Sequence, residues 1–121
     1  MAKEKKINLP IILSAKLKDE NKAAFQKAVE KGYIINKEGE RTLTWQLSNT
    51  LLAYFCGRLF AGDYLLYSRR QSKFLWMKGK GKFPAKPLGD LFGIDDLKQL
   101  RQKRLLKGAP DDKELIEKLF L

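Results

Sequence analysis

Residues 88–104 read LGDLFGIDDLKQLRQKR. A helix-turn-helix needs a small residue in the first helix, where the second crosses it, and a glycine in the turn four positions on. Gly89 and Gly93 supply that pair, and Leu88, Phe92 and Ile94 supply apolar anchors around it. In the second helix Gln99 and Gln102 occupy offsets that usually carry aliphatic anchors. Leu97, Leu100 and Leu105 take that part if the helix is rotated or the turn is longer. The opposite face then presents Lys98, Gln99, Arg101, Gln102 and Arg104, residue types that reach phosphates and base edges. An ordinary helical hairpin with a solvated basic face fits the same pattern.

Just upstream, residues 69–86 read RRQSKFLWMKGKGKFPAK. They hold Arg69, Arg70, Lys73, Lys78, Lys80, Lys82 and Lys86, no acid, and the aromatics Phe74, Trp76 and Phe83. A segment of one sign makes a field, and the commonest reason for a positive field is a polyanion. The flanks SKFLWM and KFP around Lys78-Gly79-Lys80-Gly81 predict either a glycine-tipped hairpin or a mobile loop. Residues 64–70 fit a further helical turn or a strand. As a wing, Lys78, Lys80 and Lys82 would form the tip against a phosphate backbone. Otherwise Phe74, Trp76 and Phe83 are half-buried strand residues and the lysines keep a turn soluble.

Working outward, the pattern predicts a helix over residues 19–31 closed by Gly32, with Asp19 and Glu20 at its positive end. YIINKEGERTLTW reads as a hairpin that sets Tyr33, Ile34 and Ile35 against Leu43 and Trp45. Ser48 caps an apolar helix, NTLLAYFCGRLF, the expected centre of the core, which Gly62 and Asp63 punctuate. A short helix over 87–92, a second over 95–106 and a last over 111–121 follow. Residues 1–16 read as a basic arm and an extended lead-in broken by Pro10, and 17–121 as one globular domain. The fold class is mainly α with one or two short β-hairpins.

Composition excludes much. The chain of 121 residues carries a formal charge of +11, no histidine and a single cysteine, Cys56. Without histidine the usual general base, the commonest metal ligand and most nucleophile activators are missing. Asp95–Asp96 and Asp111–Asp112 sit where helix N-termini favour negative charge. GKGKF lacks the spacing of a phosphate loop and places Phe83 where a hydroxyl would be needed. No enzyme, metal or cofactor is expected. The apolar run near the N-terminus is broken by Asn8 and Pro10. The run over 51–67 contains Arg58 and Asp63, so neither a signal peptide nor a membrane span is expected and the location is cytoplasmic.

The succession GYI, TW, SNTLLAYFCGRLFAGD, FP, LGDLFGI and LKQLRQKR resembles small proteins of Bacteroidetes mobile elements. It also resembles the C-terminal region of the excision regulator RteC of Bacteroides conjugative transposons. The resemblance spans roughly residues 23–120. It implies a winged-helix-like DNA-binding module in which Arg101, Lys103 and Arg104 match the family's basic helix. The resulting expectation is a nucleic-acid-binding accessory or regulatory protein, with duplex DNA favoured. Its contacts would be Arg69, Arg70, Lys73, Lys78, Lys80, Lys82, Lys86, Lys98, Arg101, Lys103 and Arg104. An RNA or single-strand variant of this reading is also open, because interleaved aromatics and lysines suit base stacking. The alternative is a protein-interaction module for an acidic protein, anchored by Trp76, Phe74 and Tyr67.

Overall fold

The computed structural model describes residues 13, 15, 17, 19–36, 42–108, 110 and 112–120. The expected basic arm at 3–6, most of the lead-in at 9–13 and the hairpin turn at 37–41 lie outside them. Among the described residues the architecture is α+β, with five helices and two antiparallel two-stranded sheets.

Helix α1 (Asp19–Glu30) stops at Gly32, whose φ of 79° is the left-handed conformation that glycine adopts without strain. The first hairpin pairs β1 (Ile34–Ile35) with β2 (Thr44–Trp45) in the register Ile34↔Trp45. Helix α2 (Asn49–Cys56) starts where the Ser48 hydroxyl accepts the Leu51 amide at 3.3 Å. Every residue from Leu51 to Cys56 is buried, so α2 is the axis of the core. The helix then widens into one π-helical turn (Gly57–Ala61) that ends at Gly62, φ 77°. Around α2 gather Leu13, Leu17, Phe25, Val29, Ile34, Trp45, Leu88, Phe92, Leu97, Ile116 and Leu119. Trp45 stacks on Phe55 at 5.5 Å. Tyr54 meets Trp76 edge-on at 4.8 Å.

Residues 64–77 resolve into a second hairpin, β3 (Tyr64–Ser68) with β4 (Lys73–Met77), in the register Tyr64↔Met77 to Ser68↔Lys73. This corrects the placement of its tip. The turn is Arg69–Ser72, steadied by the Gln71 amide on the Ser68 hydroxyl at 3.2 Å, with Ser72 at φ 51°. Lys78, Lys80 and Lys82 therefore follow the hairpin and do not cap it. Trp76 is buried on the inner face, 1% exposed, which removes it from the expected exposed anchors.

Helix α3 (Ala85–Phe92) begins two residues earlier than expected and ends at Gly93, φ 67°. Helix α4 (Leu97–Lys107) begins two residues later, leaving Asp95 and Asp96 in the turn. A Cβ on Gly89 would stand 2.5 Å from the Ile94 carbonyl oxygen, so the tight turn between the two helices requires the glycine. The Ile94 amide donates to the Gly89 carbonyl at 2.9 Å. Leu97 is buried and Leu100 and Leu105 pack against the core, so α4 is rotated to put Gln99 and Gln102 outside. The last segment is shorter than expected, α5 (Glu114–Glu117) and a 3₁₀ turn (Lys118–Phe120). It is fastened to α2 by a small network. The Tyr54 hydroxyl donates to Glu117 at 2.6 Å, and Arg58 donates to Glu117 at 3.0 Å while its guanidinium lies 4.5 Å from the Phe120 ring centre.

Burial, then the neighbouring Glu117 carboxylate, pushes the Tyr54 phenol well above its ordinary value of 10.0, and burial alone pushes the Cys56 thiol well above 9.0. Both folded values are raised, so the associated stability is fully present below the unfolded values. It is lost as pH climbs from those values toward the raised ones. Urea unfolding should therefore show constant stability to about pH 8.5 and a loss above it, at most about 1.4 kcal/mol per pH unit for each ionising group. The slope should flatten in Cys56→Ala and Tyr54→Phe. Stability that stays level to pH 10.5 would count against this reading.

Candidate nucleic-acid interface

The residue that organises the basic face is an acid. Asp63 stands between the Gly62 turn and β3 and is 3% exposed. Its carboxylate accepts Arg101 Nε–H at 2.7 Å and Nη2–H at 2.6 Å, a bidentate fork. It also accepts Trp76 Nε1–H at 3.2 Å and the Gly79 amide at 2.8 Å. The Arg101 guanidinium lies 4.8 Å from the Phe83 ring centre. One buried carboxylate thus ties α4, β4 and the loop after β4 into a single unit. Replacing either partner of such a pair strands a charge in the interior.

Gly57 has no side chain because Asp63 occupies that space: a Cβ there would meet the carboxylate. The loop over 78–82 is seated by the same logic. Its Gly81 amide donates to the Ala61 carbonyl at 2.9 Å, and Gly79 and Gly81 lie against the backbone of the π-helical turn. The lysine–glycine run is a packed crossing whose lysines point out.

Arg69, Arg70, Lys73, Lys78, Lys80, Lys82, Lys86, Lys98 and Lys103 are exposed, Arg104 is half-buried and Arg101 is 6% exposed. Arg101 therefore differs from the expectation. It is buried with Nε–H and one Nη2–H on Asp63, so it holds the helix and does not reach outward.

The outward stripe of α4 consists of Lys98, Gln99, Gln102, Lys103 and Leu106. Helix α4 packs on α2 and along β4. Just past its end, a Cβ on Gly108 would stand 3.5 Å from the Phe74 carbonyl, so the C-terminal end of α4 lies beside the hairpin near its tip. Lys113 Nζ sits 5.1 Å from the Phe74 ring centre. The C-terminal end of α4 thus lies beside the end of β4 that carries Lys73, which the turn Arg69–Ser72 precedes. Toward the other end, Lys86 and Lys98 share a groove of about 250 Å³ with Asp90, Asp95 and Gly89. The acids there oppose a phosphate, and at the hairpin end Asp112 and Glu114 flank Lys113 beside Arg69, Arg70 and Lys73 in the chain's more cationic segment.

A cleft of about 450 Å³ lies beside the π-helical turn, lined by Asn21, Arg58, Tyr64, Lys80 and Phe120 among others. Among the described residues no three His, Cys, Asp or Glu side chains gather as metal ligands, and no helix is long and apolar enough to cross a membrane. No family model matches this sequence, and the comparisons with curated proteins and with solved structures also find no match.

Two parts of the site escape sequence reading. Asp63 looks like punctuation after a helix. The only signal is that an acid stands alone, with no other before Asp90, ahead of a segment rich in arginine and lysine. The exposure of Leu106 follows from the rotation of α4, whose inner face carries Leu97, Leu100, Arg101 and Leu105.

Proposed function

We propose that this protein is a small duplex-DNA-binding module, an accessory or regulatory protein of a mobile element. Helices α3 and α4 serve as a helix-turn-helix, and the β3–β4 hairpin serves as a wing. The mobile-element context rests on the resemblance in the sequence. The observation that carries DNA binding is the arrangement of two acid-free cationic elements side by side. The tip Arg69–Arg70 with Lys73 belongs to the end of the hairpin beside which the C-terminal end of α4 lies, and the buried Asp63–Arg101 pair fixes the helix to the hairpin. A polyanion meets several cations at once on such a face, and each contact releases counterions.

Fluorescence anisotropy with a random-sequence duplex tests this. Affinity should fall steeply between 50 and 300 mM salt, with a log–log slope of about −4 if four or five phosphates are neutralised. Arg69→Glu, Arg70→Glu and Lys103→Glu combined should weaken binding on the order of 100-fold at low salt and reduce the slope by about 3. Lys31→Glu, in the turn after α1, should change it only slightly. A flat salt dependence would sink the proposal.

The second reading, a docking module for an acidic protein, is favoured by Tyr64, Leu66, Tyr67 and Phe74, which remain exposed on the hairpin. It predicts no duplex binding and loss of the partner complex on Leu66→Ala or Tyr64→Ala.

A further inference from the structure

The outer stripe of α4 is not merely cationic. Lys98, Gln99, Gln102, Lys103 and Leu106 are exposed at spacings of one helical face. Leu106 is 89% exposed, the most open large apolar side chain among the described residues. A helix that only met phosphates would gain nothing from two glutamines and a bare leucine between its lysines. The chemistry of those three matches base edges. A glutamine amide pairs bidentately with adenine N6 and N7, and an aliphatic side chain covers the thymine methyl. Over the seven steps from Gln99 to Leu106 the helix rises about 10 Å, which is about three base-pair steps. The major groove, about 12 Å wide, admits the helix.

We propose that Gln99, Gln102 and Leu106 read an adenine- and thymine-containing motif of three to four base pairs in the major groove. Lys103 on the same stripe contacts a flanking phosphate. This rests on the duplex-DNA reading and goes beyond it, because it makes the ligand a sequence and not any polyanion. Arg101 takes no part, since it is buried and forked onto Asp63.

The test is selection by the full chain from a randomised duplex pool, beside Gln99→Ala with Gln102→Ala, Gln102→Glu and Leu106→Ala. All three sites are exposed, and a thermal melt confirms that each variant is folded. The wild type should enrich a short motif with adenine at two positions. Replacing a read adenine by 7-deaza-adenine should weaken binding between about 5- and 150-fold, and the double-alanine variant should ignore the change. Uracil in place of thymine should weaken the wild type and leave Leu106→Ala unaffected. Gln102→Glu should move the preference at one position from adenine to cytosine, whose amino group donates to a carboxylate. If no motif emerges, or if the variants retain it, the inference is overturned while salt-dependent binding leaves the duplex reading in place. If the wild type shifts no duplex even at low salt, both fall.

Discussion

Asp63→Ala should lower the unfolding free energy by about 3–5 kcal/mol, the cost of leaving one member of a buried ion pair without its partner. The substitution strands the Arg101 guanidinium, the Trp76 indole N–H and the Gly79 amide together. For a domain whose total stability lies in the range of about 5–15 kcal/mol, that loss brings it near the threshold of folding. Arg101→Leu should cost a similar amount, because Asp63 then keeps two neutral donors and no cation. Asp63→Ala with Arg101→Leu should recover part of the loss, since no full charge then remains buried. Urea unfolding of the four proteins forms the cycle. A single-site cost below about 1 kcal/mol for Asp63→Ala would show that the pair is not a structural hub.

Gly79→Ala should cost about 3 kcal/mol, far more than a glycine in a mobile loop would suggest. A Cβ at this position would run into the carbonyl oxygen of Ala61 and the carbonyl carbon of Gly62. Those are backbone atoms and cannot swing aside, so the loop has to lift. Lifting breaks the Gly79 donation to Asp63 and the Gly81 donation to Ala61. Gly62→Ala is the internal comparison. No heavy atom lies within 4 Å of the added carbon, so only the left-handed φ of 77° opposes it, at about 1 kcal/mol. Equal melting temperatures for the two variants would refute the packed-crossing account.

These glycines also explain what the sequence could and could not convey. Helix ends were readable where the signal is local: Ser48 as a cap, and Gly32 and Gly93 as left-handed stops. The second hairpin was not, because its turn is Arg-Arg-Gln-Ser and lacks the usual glycine. The glycines that resemble a turn lie beyond its second strand. The glycines in 78–82 serve close approach to a π-helical turn, a long-range demand with no local trace. The exposed cations of the candidate face were readable because most lysines and arginines stay in water. Arg101 was not, because its burial depends on an aspartate 38 residues away in the chain. That same pair joins Leu97, Leu100 and Leu105 on the inner face of α4, which leaves Gln99, Gln102 and Leu106 to meet solvent.

The β3–β4 sheet has only two strands among the described residues, so the outer edge of each lacks a strand partner. Open edges with Tyr64 and Leu66 exposed invite strand-to-strand pairing between copies, and positive side chains are a common guard against it. Lys73 opens β4 and Arg69 and Arg70 stand in the adjoining turn, so the charges assigned to ligand contact also oppose the approach of a second hairpin at that end. Alanine replacements at these sites would remove the guard with the contact and promote self-association, whereas glutamate replacements abolish the contact and keep the repulsion.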